Sequence, residues 1–316
     1  MAEGLRVIPI GCEFGRTIAY TYYIDAPEPV LIDTGIASSP SEKIVPELAK
    51  YGIDIADIRW ILLTHGHADH IGGVKEIWER TGKKANIVIP KKEAELIHNR
   101  QAHLEAHDQL QGKYLDEQTR EEHKKILMHV IGEEIKPTHE VEPGDQLSFG
   151  GNVKMSVLST PGHSLGSVTF LLEETKWAFA ADAVQIYGGA AGGFPTIEDA
   201  TLYRESVKYL LEEVKPNRLY LGHHFLNAHG ETVEAQLAGE EVTKALRESL
   251  EMDEKLIDIA QRHRIDEKRP GEGEGLYAPF ESVADELGYK GDPRGLPSAF
   301  FVTLNGYLGS LTKGGK

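Results

Sequence analysis

Four residues capable of binding a metal fall within six positions: His65, His67, Asp69 and His70, in the run Thr64-His65-Gly66-His67-Ala68-Asp69-His70. Imidazole and carboxylate together suit zinc, iron or manganese. Two histidines on one helical face would fall four apart. Here the side chains alternate over a turn, which can aim them at two neighbouring cations. The plainer reading is a polar turn with Asp69 as a helix N-cap. It leaves three histidines in one turn without a reason.

Three later segments repeat one arrangement, an apolar run followed by a polar residue at its exit. Val153–Leu158 leads to Thr160-Pro161-Gly162-His163, Trp177–Ala181 to Asp182, and Arg218–Leu221 to Gly222-His223. Active sites often collect on loops at one end of a set of strands. Singly, a histidine after glycine is more often a surface residue, and an aspartate at a strand end more often a turn former. In order behind His65–His70, they read as one ligand set.

This series resembles the metallo-β-lactamase superfamily: HxHxDH, a histidine in a TPGH-type turn, an aspartate after a strand and a late Gly-His. The resemblance covers residues 1–230. It implies an α/β fold, a four-layer αββα sandwich with the metals at one edge. It also implies two divalent ions, zinc first, with iron or manganese as alternatives. His65, His67 and His163 would hold one ion, and Asp69, His70 and His223 the other, with Asp182 bridging. His67, where the flavodiiron branch has Glu, argues against that branch. The text is most similar to glyoxalase II-like thioesterases and acyl-homoserine-lactone lactonases. Ala181, where many relatives have Gly, and His224 after His223 are departures from the pattern.

The implied chemistry is attack on a lactone, ester or thioester carbonyl by a metal-activated hydroxide. Two divalent cations carry about four positive charges, and Asp69, Asp182 and the hydroxide offset three. Such a site lowers the pKa of water and stabilises an oxyanion. Asp69 is the expected proton carrier. Tyr187 is the expected donor to the substrate carbonyl, as in lactonase-like relatives, although its spacing from Asp182 differs from theirs. Asp33, at the exit of Val30–Ile32, is a potential partner of a ligand imidazole. Competing readings are a mononuclear iron enzyme like persulfide dioxygenases, a metallo-ribonuclease, and a non-catalytic module that kept the fold.

The elements that must position these residues are legible in outline. Leu5–Ile10, Ile18–Ile24, Val30–Ile32, Trp60–Leu63, Asn86–Ile89, Ser167–Leu172 and the three runs above read as strands. Helices are predicted at about Glu42–Tyr51, after His70 up to Gly82, and over Glu198–Val214. Residues 91–135 are polar and helical in propensity, and predict a helical insertion. His103 and His107 within it read as a solvated face. From about 231 acidic helices, a Gly/Glu linker at 270–275 and an aromatic end predict a mainly helical extension, 231–316. Both additions are expected to cover the metal edge.

The charge of −16 across 316 residues, with no basic cluster, disfavours nucleic acid and anionic membranes as partners. A small molecule is the expected partner, and self-association stays open. The single cysteine, Cys12, excludes an internal disulfide and suits a reducing compartment. It reads as a buried, inert thiol. No export signal is legible after Met1, so the expected location is cytoplasmic and a true β-lactamase is disfavoured.

Overall fold

The computed structural model describes residues 4–190, 192–296 and 298–313. Two six-stranded sheets dominate it. The first runs β1 (Val7–Phe14), β2 (Thr17–Ile24), β3 (Val30–Ile32), β4 (Trp60–Leu62), β5 (Asn86–Pro90), β6 (His139–Val141), in that order across the sheet. β1 to β3 are antiparallel neighbours, and β3 to β6 are parallel. The second contains β7 (Gln146–Ser148), β8 (Lys154–Ser159), β9 (Val168–Leu172), β10 (Trp177–Ala181), β11 (Arg218–Leu221) and β14 (Gln236–Ala238). Its order is β14-β11-β10-β9-β8-β7, and only β10 and β11 pair in parallel. β12 (Phe225–Leu226) and β13 (Thr232–Val233) form a separate hairpin.

Burial explains the layering. Tyr22, Ile24, Ile32, Leu62 and Val88 from the first sheet meet Met155, Val157, Phe170, Phe179 and Tyr220 from the second in one apolar cluster. The alternation along β8, with Met155 and Val157 inward, is that of a sheet facing a core on one side. The other face of the first sheet is covered by α1 (Val45–Lys50), α2 (Ala68–Ile71) and α3 (Val74–Arg80), through Leu48, Ile71, Val74 and Ile77. The other face of the second is covered by α7 (Ala200–Tyr209), α8 (Glu240–Arg262), α9 (Glu281–Leu287) and α10 (Ala299–Lys313). This is the αββα sandwich, with α4 (Ala94–His98), α5 (Arg100–Gln111) and α6 (Glu117–Val130) inserted between β5 and β6.

Several boundaries differ from the sequence reading. β1 continues to Phe14, because Phe14 pairs with Thr17 across a tight turn. β6 and β7 are short and polar and bury only Val141 and Leu147, too little periodicity to show in the text. The predicted 198–214 helix begins at Ala200, capped by Asp199, and ends in a wider turn at Lys215, whose φ is 49°. β14 pairs with β11, so the second sheet draws in residues beyond 230.

The insertion is not a solvated appendage. His103 and Gln111 are buried, and so is His123 of α6. Gln111 Nε2 donates to His107 Nε2 and His123 Nδ1, and its Oε1 accepts the Ser298 N–H at the start of α10. His123 Nε2 donates to the Arg294 carbonyl, and Tyr114 stacks on Phe301. Insertion and extension are thus joined by a polar core that hydrophobic patterning could not reveal. α6 and the Ile131 that follows it also pack on Ala68 of α2, α6 through Leu127 and Val130, beside Asp69 and His70.

Candidate metal centre

The exits of β3, β4, β8, β10 and β11 lie at one edge and deliver Asp33, His65, His163, Asp182 and His223 there. His67 caps α2 in an extended conformation, φ −71° and ψ 148°, and α2 carries Asp69 and His70. Gly222 permits the closest approach, because a Cβ there would fall 1.9 Å from Asp182 Oδ1.

Each of the five imidazoles has one nitrogen facing a protein partner. His65 Nδ1 is 3.0 Å from Thr64 Oγ1, and His70 Nδ1 is 2.9 Å from Asp33 Oδ2. His163 Nδ1 is 2.8 Å from the Thr196 carbonyl, and His223 Nδ1 is 2.8 Å from the Ile18 carbonyl. His67 Nε2 lies 3.4 Å from Glu198 Oε1. Carbonyls and carboxylates only accept, and the Thr64 hydroxyl is committed as a donor to Asp33. These partners therefore take the N–H of each ring. With the ring neutral, the second nitrogen of each then carries a bare lone pair.

Those lone pairs converge. His163 Nε2 lies 2.9 Å from His67 Nδ1 and 3.2 Å from His65 Nε2, and His70 Nε2 lies 3.4 Å from His223 Nε2. Asp182 Oδ2 is 3.3 Å from His163 Nε2 and 3.2 Å from His223 Nε2. Asp182 Oδ1 is buried without a hydrogen-bond partner. Asp69 Oδ2 is 3.3 Å from His223 Nε2. Acceptors so close repel one another unless a proton or a metal cation sits among them. Two nitrogens each about 2.05 Å from a tetrahedral zinc ion would lie about 3.3 Å apart. Three groups could hold a cation, each with its atoms within 4.8 Å: His65, His67, His163; Asp69, His70, His223; and His65, His70, Asp182. The donor set therefore fits divalent metal, and Asp182 lies between the two histidine groups.

The profile of the metallo-beta-lactamase superfamily matches residues 15–223. The chain belongs to that superfamily. A hydroxyacylglutathione hydrolase of Rhodopseudomonas palustris (strain BisB5) is 27% identical over 234 residues, 71% of this chain and 68% of that protein. Its counterpart in strain BisB18 is 27% identical over 212 residues, 66% of this chain and 59% of that protein. Among solved structures, a metallo-beta-lactamase family protein from Thermus thermophilus superposes with a TM-score of 0.69 at 19% identity, covering 99% of this chain and 94% of its own. A superfamily protein from Sulfolobus tokodaii gives 0.57 at 22% identity, covering 96% and 98%.

In this metallo-beta-lactamase superfamily member, charge follows from the packing. Burial drives the His65 pKa well below the usual range, and the neighbouring imidazoles add to it. Burial likewise brings His163 down to about 4, against the pull of Asp182. Burial disfavours charge on His223 too, but Asp182 and Asp69 outweigh it and raise its pKa. Burial would raise the Asp69 and Asp182 pKa values. The adjacent histidines reverse that and hold both carboxyls well below their usual range. Both stay anionic, as a carboxylate must to hold a cation.

The residues flanking the candidate ligands point in different directions. His224 faces away, with Nε2 2.6 Å from the Tyr20 hydroxyl and Nδ1 on the Val233 carbonyl. Tyr187 is not delivered to the cluster. Its phenol packs on the helical side of the second sheet, where burial and the carboxylates of Glu251 and Glu248 raise its pKa. Ile186, at φ 50°, turns the chain before it. Ala181 occupies φ 44°, a conformation in which glycine is unstrained and alanine is not. Cys12 is buried, and that burial pushes its pKa up to about 11.

Sequence reasoning missed Thr64, Glu93, Gln185, Thr196 and Glu198. Buried Glu93 accepts from Ser164 Oγ and the Gly166 N–H, clamping the loop after His163. Gln185 Nε2 donates to the Asp182 carbonyl, and its Oε1 accepts the Thr196 N–H. None of these has a spacing that a motif could flag. No helix among the described residues is long and apolar enough to cross a membrane.

Proposed function

We propose that this protein is a dinuclear metal-dependent hydrolase of small esters, thioesters or lactones. One ion would be held by His65, His67 and His163, the other by Asp69, His70 and His223, with Asp182 shared. The observation that carries this reading is the convergence of five imidazoles whose outer N–H groups are all donated to protein, around a buried carboxylate oxygen with no partner. Divalent cations bound there, zinc first, supply Lewis acidity toward water and toward a carbonyl oxygen.

The chain's own groups then divide the work. Thr64, Asp33, Thr196, Ile18 and Glu198 lock the ring orientations, so little reorganisation accompanies reaction. Asp182, almost wholly buried, is committed to its histidine neighbours. Asp69 is the more accessible carboxylate, with 17% of its side chain exposed. It is placed to hold a proton from water and pass it to the leaving group. Tyr187 has no part in this reading, because its hydroxyl is turned toward Glu251.

The hydroxyacylglutathione hydrolases among the relatives make an acyl thioester the first substrate to try. The charge of −16 disfavours a polyanionic substrate, and the lone cysteine suits the cytoplasm. We treat the helices past β14 as an extension of one catalytic domain. Elemental analysis of protein purified without chelator, coupled to a screen of thioesters, lactones and aryl esters, tests the reading. Near two divalent ions per chain and hydrolysis in the screen are expected. One iron per chain with oxygen consumption would overturn it in favour of a mononuclear dioxygenase.

A further inference from the structure

A strap of chain, residues 195–199, runs between the C-terminal helix and the metal centre. On one side it touches the histidines. The Thr196 carbonyl takes the His163 Nδ1–H, and Glu198 Oε1 faces His67 Nε2. The Glu198 and Asp199 N–H groups both donate to the Gly162 carbonyl, immediately before His163. The Thr196 N–H is held by Gln185, which also binds the Asp182 carbonyl.

On its other side the strap is held by α10. Buried Thr303 accepts the Ile197 N–H at 3.0 Å and donates to the Pro195 carbonyl at 2.7 Å. One turn on, Gly306 lies flat against it. A Cβ there would fall 2.4 Å from the Ile197 carbonyl oxygen and 2.9 Å from that of Glu198. The strap thus has no backbone slack where it meets the imidazoles, and its outer support comes from a helix beyond the 15–223 family match.

We propose that α10 is a positioning element of the metal centre, acting through Thr303 and Gly306 on the strap, with Glu198 setting the orientation of the His67 ring. This rests on the dinuclear reading above. It assigns the C-terminal extension a selective role, because Thr196 and Glu198 address His163 and His67 but not the Asp69, His70, His223 group. Glu198 is the outer partner with the longest contact, 3.4 Å against 2.8–3.0 Å for the others. Its side chain is only 12% exposed, so its carboxylate is directed inward at the ring. Partners of this kind set the tautomer and aim of a ligand ring, and losing one commonly lowers metal affinity roughly ten- to a hundredfold.

The test is chelator competition on the full-length protein loaded with Zn2+, and separately with Co2+ for its visible spectrum. It compares wild type with Glu198→Ala, Glu198→Gln, Thr303→Val and Thr303→Ser. In Glu198→Ala and Thr303→Val, one of the two ions is expected to bind roughly ten- to a hundredfold more weakly while the other is unchanged. The cobalt spectrum should change for the weakened ion alone. Glu198→Gln keeps an acceptor oxygen, and Thr303→Ser keeps the hydroxyl, so both should recover most of the affinity. Affinities unchanged from wild type for both ions in all variants would overturn the proposal. So would a uniform weakening of both ions with a lowered melting temperature, since that is general destabilisation. A wild type that fails to bind two ions would instead refute the dinuclear reading itself.

Discussion

Asp33 Oδ2 lies 2.9 Å from His70 Nδ1, both side chains are buried, and Asp33 itself sits at φ 58°. A non-glycine residue in that region is strained. The strain is offset locally, since Asp33 Oδ1 accepts the Thr64 N–H and Oδ2 accepts the Thr64 hydroxyl. Thr64 in turn faces His65 Nδ1, so one carboxylate orients two rings belonging to different ligand groups. Removing it should reach both ions. Asp33→Ala is expected to lower metal affinity at both sites, by roughly ten- to a hundredfold at the one served directly by His70. Chelator competition measures this. An unchanged affinity at the His70 site would show that the ring is held by its packing alone.

His223 and His224 are neighbours with opposite environments. His223→Ala is expected to remove the ion near Asp69 and His70 and to abolish most hydrolysis. His224→Ala should keep both ions, at the cost of the contacts to Tyr20 and Val233. Metal stoichiometry of the two variants decides it. The reverse outcome would mean that the last ligand has been assigned one residue too early.

Tyr187→Phe is expected to leave kcat within about twofold, because no contact to a reacting group is removed. A hydroxyl that donated to a developing oxyanion would cost roughly ten- to a thousandfold when lost. Steady-state kinetics on whichever ester or thioester the screen finds separates the two. A large fall in kcat with intact metal content would bring the phenol back into the reaction.

Acid should loosen the insertion. Burial is the leading cause that depresses the pKa of His103 to about 4 and that of His107 to about 3. Below the unfolded value of about 6.5, the unfolded chain takes up these protons and the folded chain does not. Stability is therefore full above about pH 6.5 and is lost as pH falls toward 4 and then 3. Each such histidine contributes at most about 1.4 kcal/mol per pH unit. His107→Gln cannot protonate there and should show a shallower fall in melting temperature between pH 6.5 and 4 than the wild type. Parallel curves would mean that His107 protonates freely in the fold.

The sequence by itself determined the candidate ligand types, their order and the fold they resemble. That information is local: HxHxDH occupies one turn, and the later His163, Asp182 and His223 each follow an apolar strand that is recognisable alone. Ala181 was already out of place in the text, and its φ of 44° supplies the cause. The tertiary structure decided what no local pattern encodes. Asp33 and His70 are 37 positions apart and His163 and Thr196 are 33 apart, and only the folded chain makes them partners. Tyr187 falls close to Asp182 in sequence, yet the turn at Ile186 carries it to the helical side. His103, Gln111 and His123 lie on helices too polar to predict burial. Gln111 and His123 find their hydrogen-bond partners, Ser298 and Arg294, only because the segment leading into α10 returns from the far end of the chain. A polar core requires partners distant in sequence, and those exist only once the layers have packed.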